Sequence, residues 1–239
     1  CALPILITQR TDDVPQFHFI YTTSNHGPYK MPLHDLGFDG DKIMKVGQDV
    51  LDEKIIPKVL GTFWYSDRAI NQFIQEMKKA YPDSLFIVTG DHGFQCSELQ
   101  HTSFMKREYT FRELHSPVLM FHHPELDKAS LAENIIGGHM NILPTLFELI
   151  APAGFTYYSL FHSLTEPISQ CVTPYHWANL QAIGACHEAY YQPLTAQSGA
   201  DVRQGAAPYD DICDAEKSLT AYLLQHPELL QPVDALLRR

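Results

Sequence analysis

The chain has 239 residues, with 17 Lys and Arg against 28 Asp and Glu, for a formal net charge of −11. That acidic balance, with no basic stripe to offset it, argues against a protein that grips nucleic acid through its phosphates. At 45% hydrophobic and 19% charged, the composition is globular and the length suffices for one domain or slightly more with a sizeable core. No apolar run approaches the roughly 18 residues that would span a bilayer.

Phe17 to Thr23 (FHFIYTT) is rich in aromatic and β-branched residues, and this predicts a buried strand. The turn residues Ser24-Asn25-His26-Gly27-Pro28 follow it. Gly37 to Asp41 marks another turn, with a moderately helical stretch to about Ile56, and Pro57 suits the first turn of a long helix. Val59, Leu60, Phe63, Trp64, Ile70, Phe73, Ile74 and Met77 recur at spacings of three and four, an amphipathic pattern that Tyr81-Pro82-Asp83 breaks. Leu85 to Thr89 (LFIVT) is a short continuous apolar run that reads as a central parallel strand. It leads straight into Gly90-Asp91-His92-Gly93. Pro117 to Phe121 is a further strand candidate, and Asn141 is placed to cap a helix running to Ile150 with Pro144 in its first turn.

Beyond about Thr165 the pattern weakens. Cys171 to Trp177 reads as one strand, Gln192 to Tyr209 as a loop, and Asp214 to Arg239 as helix interrupted at Pro227 and Pro232. Strands alternating with helices predict an α/β fold. The five cysteines, Cys1, Cys96, Cys171, Cys186 and Cys213, make no disulfide framework and no C-x-x-C metal pair. Free thiols, or one pair among the last three, both remain open, and a pair would require an oxidising compartment.

Chemistry is concentrated in the first 150 residues. Asp91 and His92, flanked by glycines at the end of a buried strand, have the donor types of a divalent-metal half-site at the sheet edge where ligands bind. A turn Asp with a chance His neighbour is the everyday alternative. His26 stands at a second strand end, where it could contact an anionic oxygen or serve only as a turn residue. His101, Lys106, Arg107, Tyr109 and Arg112 form a third cluster, able to clamp sulfate or phosphate or simply to be solvated. No Gly-x-Ser-x-Gly elbow, H-E-x-x-H helix, phosphate-binding P-loop or G-x-G-x-x-G fingerprint occurs.

In order, FIYTTSNHGPYKMP (19–32), TFWYSDRAINQFI (62–74), SLFIVTGDHG (84–93), ELQHTSFMKREYTFRELHSPVLMF (98–121) and GGHMNILPTLFELI (137–150) resemble segments of sulfatases within the alkaline phosphatase superfamily. The Ser-Asn-His turn leans toward its lipoteichoic acid synthase-like branch, and the Lys106 to Pro117 stretch toward arylsulfatases. The resemblance covers about residues 17 to 165. It implies an α/β fold with a mostly parallel sheet sandwiched by helices, incomplete at the amino-terminal side. Residues 1–165 would be the carboxy-terminal half of a catalytic domain and 166–239 a carboxy-terminal appendage.

The same resemblance implies that Asp91 and His92 ligate one divalent ion (Mn, Mg, Ca or Zn), and that His26, Lys106 and, less closely, His101 contact the substrate. The activity implied is hydrolysis or transfer of a sulfate or phosphate ester, phosphoglycerol or phosphoethanolamine transfer included. Family members carry a nucleophile and acidic ligands well upstream of the strand at Phe17. Cys1-Ala2-Leu3-Pro4 does not fit the family's C-x-P-x-R signature, so no nucleophile is assigned. The chain, beginning at Cys1 without Met, is thus expected to be part of a longer protein, binding metal weakly and not turning over alone. A non-catalytic remnant or binding module is the alternative. An extracytoplasmic location, a sulfate- or phosphate-ester partner, no nucleic acid, a membrane only through segments absent here, and association through exposed sheet surface complete the expectations.

Overall fold

A computed structural model describes residues 15–41, 55–95, 106–133, 135–205 and 208–230. The chain divides into two compact units, Cys1–Glu108 with Pro117–Glu125, and Tyr109–Ser116 with Leu126–Arg239.

The first unit is organised by helix α1, Ile55–Ala80. Of its predicted apolar stripe, Val59 is fully enclosed and Met77 nearly so, whereas Phe63 is exposed and the others are half-buried; the polar Thr62 and Ser66, outside that stripe, share the buried face. Thr62 spends its buried hydroxyl on the carbonyl of Val59 at 2.7 Å. Lys78 and Lys79 lie in the last turn, where positive charge complements the helix dipole. Phe38 packs on Trp64 at 5.4 Å between ring centroids, and the Arg68 guanidinium covers the same indole at 5.4 Å.

Strand β1, Phe86–Thr89, pairs antiparallel with strand β2, Leu119–His122, from Phe86 opposite His122 to Thr89 opposite Leu119. A mostly parallel sheet is the expectation from sequence; among the described residues every ladder is antiparallel. An apolar run reports burial, and its composition does not encode which way the neighbouring strand runs. The predicted strand at Phe17–Thr23 is also corrected: the segment carries no ladder, and Phe17, Phe19 and Tyr21 are exposed at 69%, 82% and 67%. Aromatic and β-branched residues suit a pleated surface, but a strand exists only where a partner supplies the hydrogen bonds.

The second unit holds helix α2, Phe111–His115, and helix α3, Ile142–Ile150. Its sheet is a five-stranded antiparallel meander of β3 (Gln170–Val172), β4 (His176–Asn179), β5 (Ala182–Ala185), β6 (Tyr190–Pro193) and β7 (Arg203–Gln204), in that order. Helix α4, Asp210–Gln225, follows. The single strand expected at Cys171–Trp177 is therefore two, joined by a turn in which the Thr173 hydroxyl accepts from the His176 amide at 3.0 Å. Asn141 precedes α3 as expected but caps nothing with its side chain. It accepts from the Gly138 amide and donates to the His162 carbonyl, each at 2.8 Å.

The core of this unit is Val172, Trp177, Ala182, Cys186 and Cys213, with Tyr191 and Tyr209 against it. A disulfide joins Cys186, after β5, to Cys213 in α4. Trp177 lies over Gly184, where an added Cβ would fall 2.8 Å from the indole Cε2 and Cζ2. Because Tyr191 and Tyr209 hold that indole on other sides, Gly184→Ala is expected to cost about 1–3 kcal/mol by overpacking, measurable by urea titration.

Helix α2 is built by a capping box, with Thr110 accepting from the Glu113 amide and the Glu113 carboxylate accepting from the Thr110 amide. It is fastened by buried Gln192, whose Oε1 accepts from the Phe111 amide while its Nε2 donates to the Gly199 carbonyl at 2.8 Å. The rings of Phe111, His115 and His176 pack together beside this anchor, His115 tilted against both and Phe111 edge-on to His176. Burial lowers the pKa of His176 from its ordinary 6.5. The unfolded chain thus takes up the proton more readily, so the ring's contribution to stability is complete above pH 6.5 and is lost as the pH falls toward the folded value. Melting temperatures at pH 7.5 and 5.5 check this: the wild type should lose more on acidification than His176→Phe.

Candidate functional site

The chain leaves β1 at Thr89 and turns at once through Gly90-Asp91-His92-Gly93. A Cβ on Gly90 would lie 3.2 Å from the His92 carbonyl oxygen and 3.2 Å from Pro117 Cβ, so the close approach of this turn suits glycine. The His92 amide donates to Asp91 Oδ1 at 3.1 Å. His92 Nδ1 is bonded to the Gly93 carbonyl, which can only accept, so Nδ1 carries the proton. In the neutral ring the lone pair is then on Nε2, 3.8 Å from Asp91 Oδ2.

Both side chains are more than half exposed, His92 at 53% and Asp91 at 63%. Bonds of about 2.0–2.2 Å from imidazole nitrogen and carboxylate oxygen can bridge such a gap. A ring whose other nitrogen is tied to a carbonyl is also the usual support of a ligating histidine. Among the described residues, no group of three or more His, Cys, Asp or Glu is arranged to hold a metal ion. Asp91 and His92 supply two donors of the types a divalent ion takes.

His26 lies in a turn closed by its own amide on the Thr23 carbonyl at 3.2 Å. Its Nδ1 donates to the Gly27 carbonyl at 2.7 Å, leaving Nε2 free on an exposed ring. The two preceding residues are fastened to α1: Ser24 Oγ and Asn25 Oδ1 each lie 2.7 Å from Ser66 Oγ. Phe94, just past the Asp91-His92 turn, packs edge-on against Phe63 of α1 with centroids 5.2 Å apart. Positions 63 and 66 are neighbours at i and i+3 on a helix surface. The turn bearing His26 and the turn bearing Asp91 and His92 are thus tied to one patch of the same helix. No hydrogen bond or ion pair joins His26 or Lys106 to Asp91 or His92 among the described residues.

Lys106 is exposed, with its backbone in the left-handed region at φ 54. His101 lies outside the described residues. A thiol nucleophile at Cys171 is disfavoured, because burial, and then the charge of Glu216, pushes this free cysteine up to about 11.

A family model described as Sulfatase matches residues 2–151, more than half of the chain. The chain belongs to the sulfatase family. No curated protein and no solved structure matches it. Membership gives this chain the general character of a sulfatase-like hydrolase with an alkaline phosphatase-like α/β fold, and sulfatases generally use a divalent metal ion. Asp91, His92, His26 and Lys106 all lie inside the matched span.

Sequence reasoning did not single out Phe63 and Ser66 as residues that hold this sulfatase's two turns together. The available signal was a small polar residue at position 66, one turn after Thr62, on the buried face of the helix. A buried hydroxyl there needs a partner, and the helix backbone is only one of the choices.

Proposed function

We propose that this sulfatase-family chain supplies a divalent-metal half-site, Asp91 and His92, and two anion-contacting groups, His26 and Lys106, for cleavage or transfer of a sulfate or phosphate ester. The observation that carries the reading is the pairing of Asp91 Oδ2 and His92 Nε2 at 3.8 Å, with His92 Nδ1 tied to the Gly93 carbonyl. When bound, a divalent ion supplies Lewis-acid neutralisation of ester-oxygen charge and a lowered nucleophile pKa. The free Nε2 of His26, when protonated, donates to a sulfate or phosphate oxygen, and the Lys106 ammonium does the same as a point charge. Transfer of a lipoteichoic acid synthase-like headgroup and hydrolysis of an aryl sulfate both use these roles. No nucleophile is assigned among the described residues.

The compartment we propose is extracytoplasmic, supported by the Cys186–Cys213 disulfide. No helix among the described residues is long and apolar enough to cross a membrane. Exposed Phe17, Phe19, Val118 and Met120 support association with a second chain. A second reading, a binding module without catalysis, is favoured by the lack of a third donor beside Asp91 and His92 among the described residues.

Calorimetric titration of the chelator-treated chain with Mn²⁺, Mg²⁺, Ca²⁺ and Zn²⁺ tests the metal reading. Weak one-to-one binding that disappears in Asp91→Asn is the expected result; equal heats from both proteins would discard the half-site. Parallel assays with 4-nitrophenyl sulfate and bis(4-nitrophenyl) phosphate separate the enzyme from the binding module. Metal-dependent release of nitrophenol by either substrate retires the second reading.

A further inference from the structure

We propose that Ser66 is a positioning residue that holds the Ser24-Asn25-His26 turn in the form that presents the His26 ring. The inference rests on the anion-contacting role given to His26 above, but its core is geometric. Ser66 sits on the buried face of α1 and is only 8% exposed. A serine in mid-helix ordinarily spends its hydroxyl on the preceding turn of its own helix, as Thr62 does on Val59. Ser66 does not. Its proton goes to Asn25 Oδ1 at 2.7 Å, and the Ser24 hydroxyl, with Ser66 Oγ as its remaining partner, donates to that oxygen at 2.7 Å.

One buried hydroxyl therefore uses its donor and an acceptor on two adjacent residues of a loop about forty positions upstream. Those residues are immediately followed by His26, whose amide closes the turn on Thr23 and whose Nδ1 is tied to Gly27. Ser24 is half-buried while Asn25 and His26 are exposed, so little packing restrains the turn. The two bonds to Ser66 define where the turn stands on the helix. They also define where it stands relative to Phe63, one helical turn away, which holds the far side of the Asp91-His92 loop.

The chemistry dictates the variants. Ser66→Ala removes both bonds, and Asn25→Ala removes one from an exposed position where global unfolding is not at stake. Asn25→Asp keeps the acceptor oxygen that Ser66 uses. Amide exchange at His26 and the response of its Cε1–H resonance to inorganic sulfate are followed by NMR in the full chain. The expected result is exchange about tenfold faster in Ser66→Ala and Asn25→Ala, with the midpoint of the sulfate response weakened about fivefold or more. Asn25→Asp should keep the wild-type exchange rate, and melting of Asn25→Ala should be unchanged. Wild-type exchange rates in both alanine variants overturn the proposal. If exchange quickens as expected but the wild-type His26 resonance ignores sulfate, the anion-contacting role of His26 falls and the hold of Ser66 on the turn stands.

Discussion

Replacing Cys186 and Cys213 together by alanine is expected to lower the unfolding free energy of the second unit by about 3.5 kcal/mol. The disulfide closes a loop with a sequence separation of 27, and the chain-entropy relation for a loop of that size gives this figure at room temperature. Both cysteines belong to the unit's core, and Cys213 is fully enclosed, so lost packing adds to the entropic term. The bond ties the end of β5 to the first turn of α4, where His187 adds an exposed pair with Asp214 at 2.9 Å that contributes comparatively little. Trp177, 5.3 Å from Tyr209 in the same core, reports the transition by fluorescence during urea unfolding. A shift below about 1 kcal/mol would mean that the meander and helix hold together without the covalent link.

Asp91→Asn and His92→Ala are each expected to weaken divalent-ion affinity by about tenfold to a hundredfold or more. Loss even of a group that only supports a ligand costs that much, and removal of a ligand should cost no less. Asparagine keeps the size of Asp91 and an oxygen for the His92 amide while removing the negative charge that a cation requires. His162→Ala removes another exposed histidine beside a carboxylate, 3.2 Å from Glu166, and should bind as the wild type does. If His162→Ala loses as much affinity as His92→Ala, the ions are held by scattered surface groups and the Asp91-His92 turn has no special claim.

Features carried by local patterns were the legible ones. The stripe from Val59 to Met77, with Pro57 before it and Tyr81-Pro82 after it, marked α1 almost to its ends because helical periodicity is repeated over many residues. Leu85 to Thr89 was legible as a strand because breakers bound a compact apolar run, and the Asp-His turn beyond it was visible as a donor pair. Phe17 to Thr23 misled because strand composition without a partner yields only extended, exposed chain. Strand β5, Ala182–Ala185, shows no alternation because three small residues surround a single Ile183, although they line the core beneath Trp177. The link from Ser66 to Ser24 and Asn25 was out of reach for a different reason. It depends on which buried hydroxyl meets which loop across some forty residues, and no local periodicity records that.

The anchoring of α2 by Gln192 has a consequence for dissecting the molecule. Residues 109–116 belong with the meander although they lie in sequence between Lys106 and β2. A stop codon after Thr165 would therefore do more than trim a tail. It would delete the side chain that accepts from the Phe111 amide and the Leu194 carbonyl that accepts from Arg112 at 3.3 Å. The short stretch leading from Lys106 into β2 would lose its cradle. The threading of the chain, out of one unit and back before its final departure, means that no single cut yields both units whole.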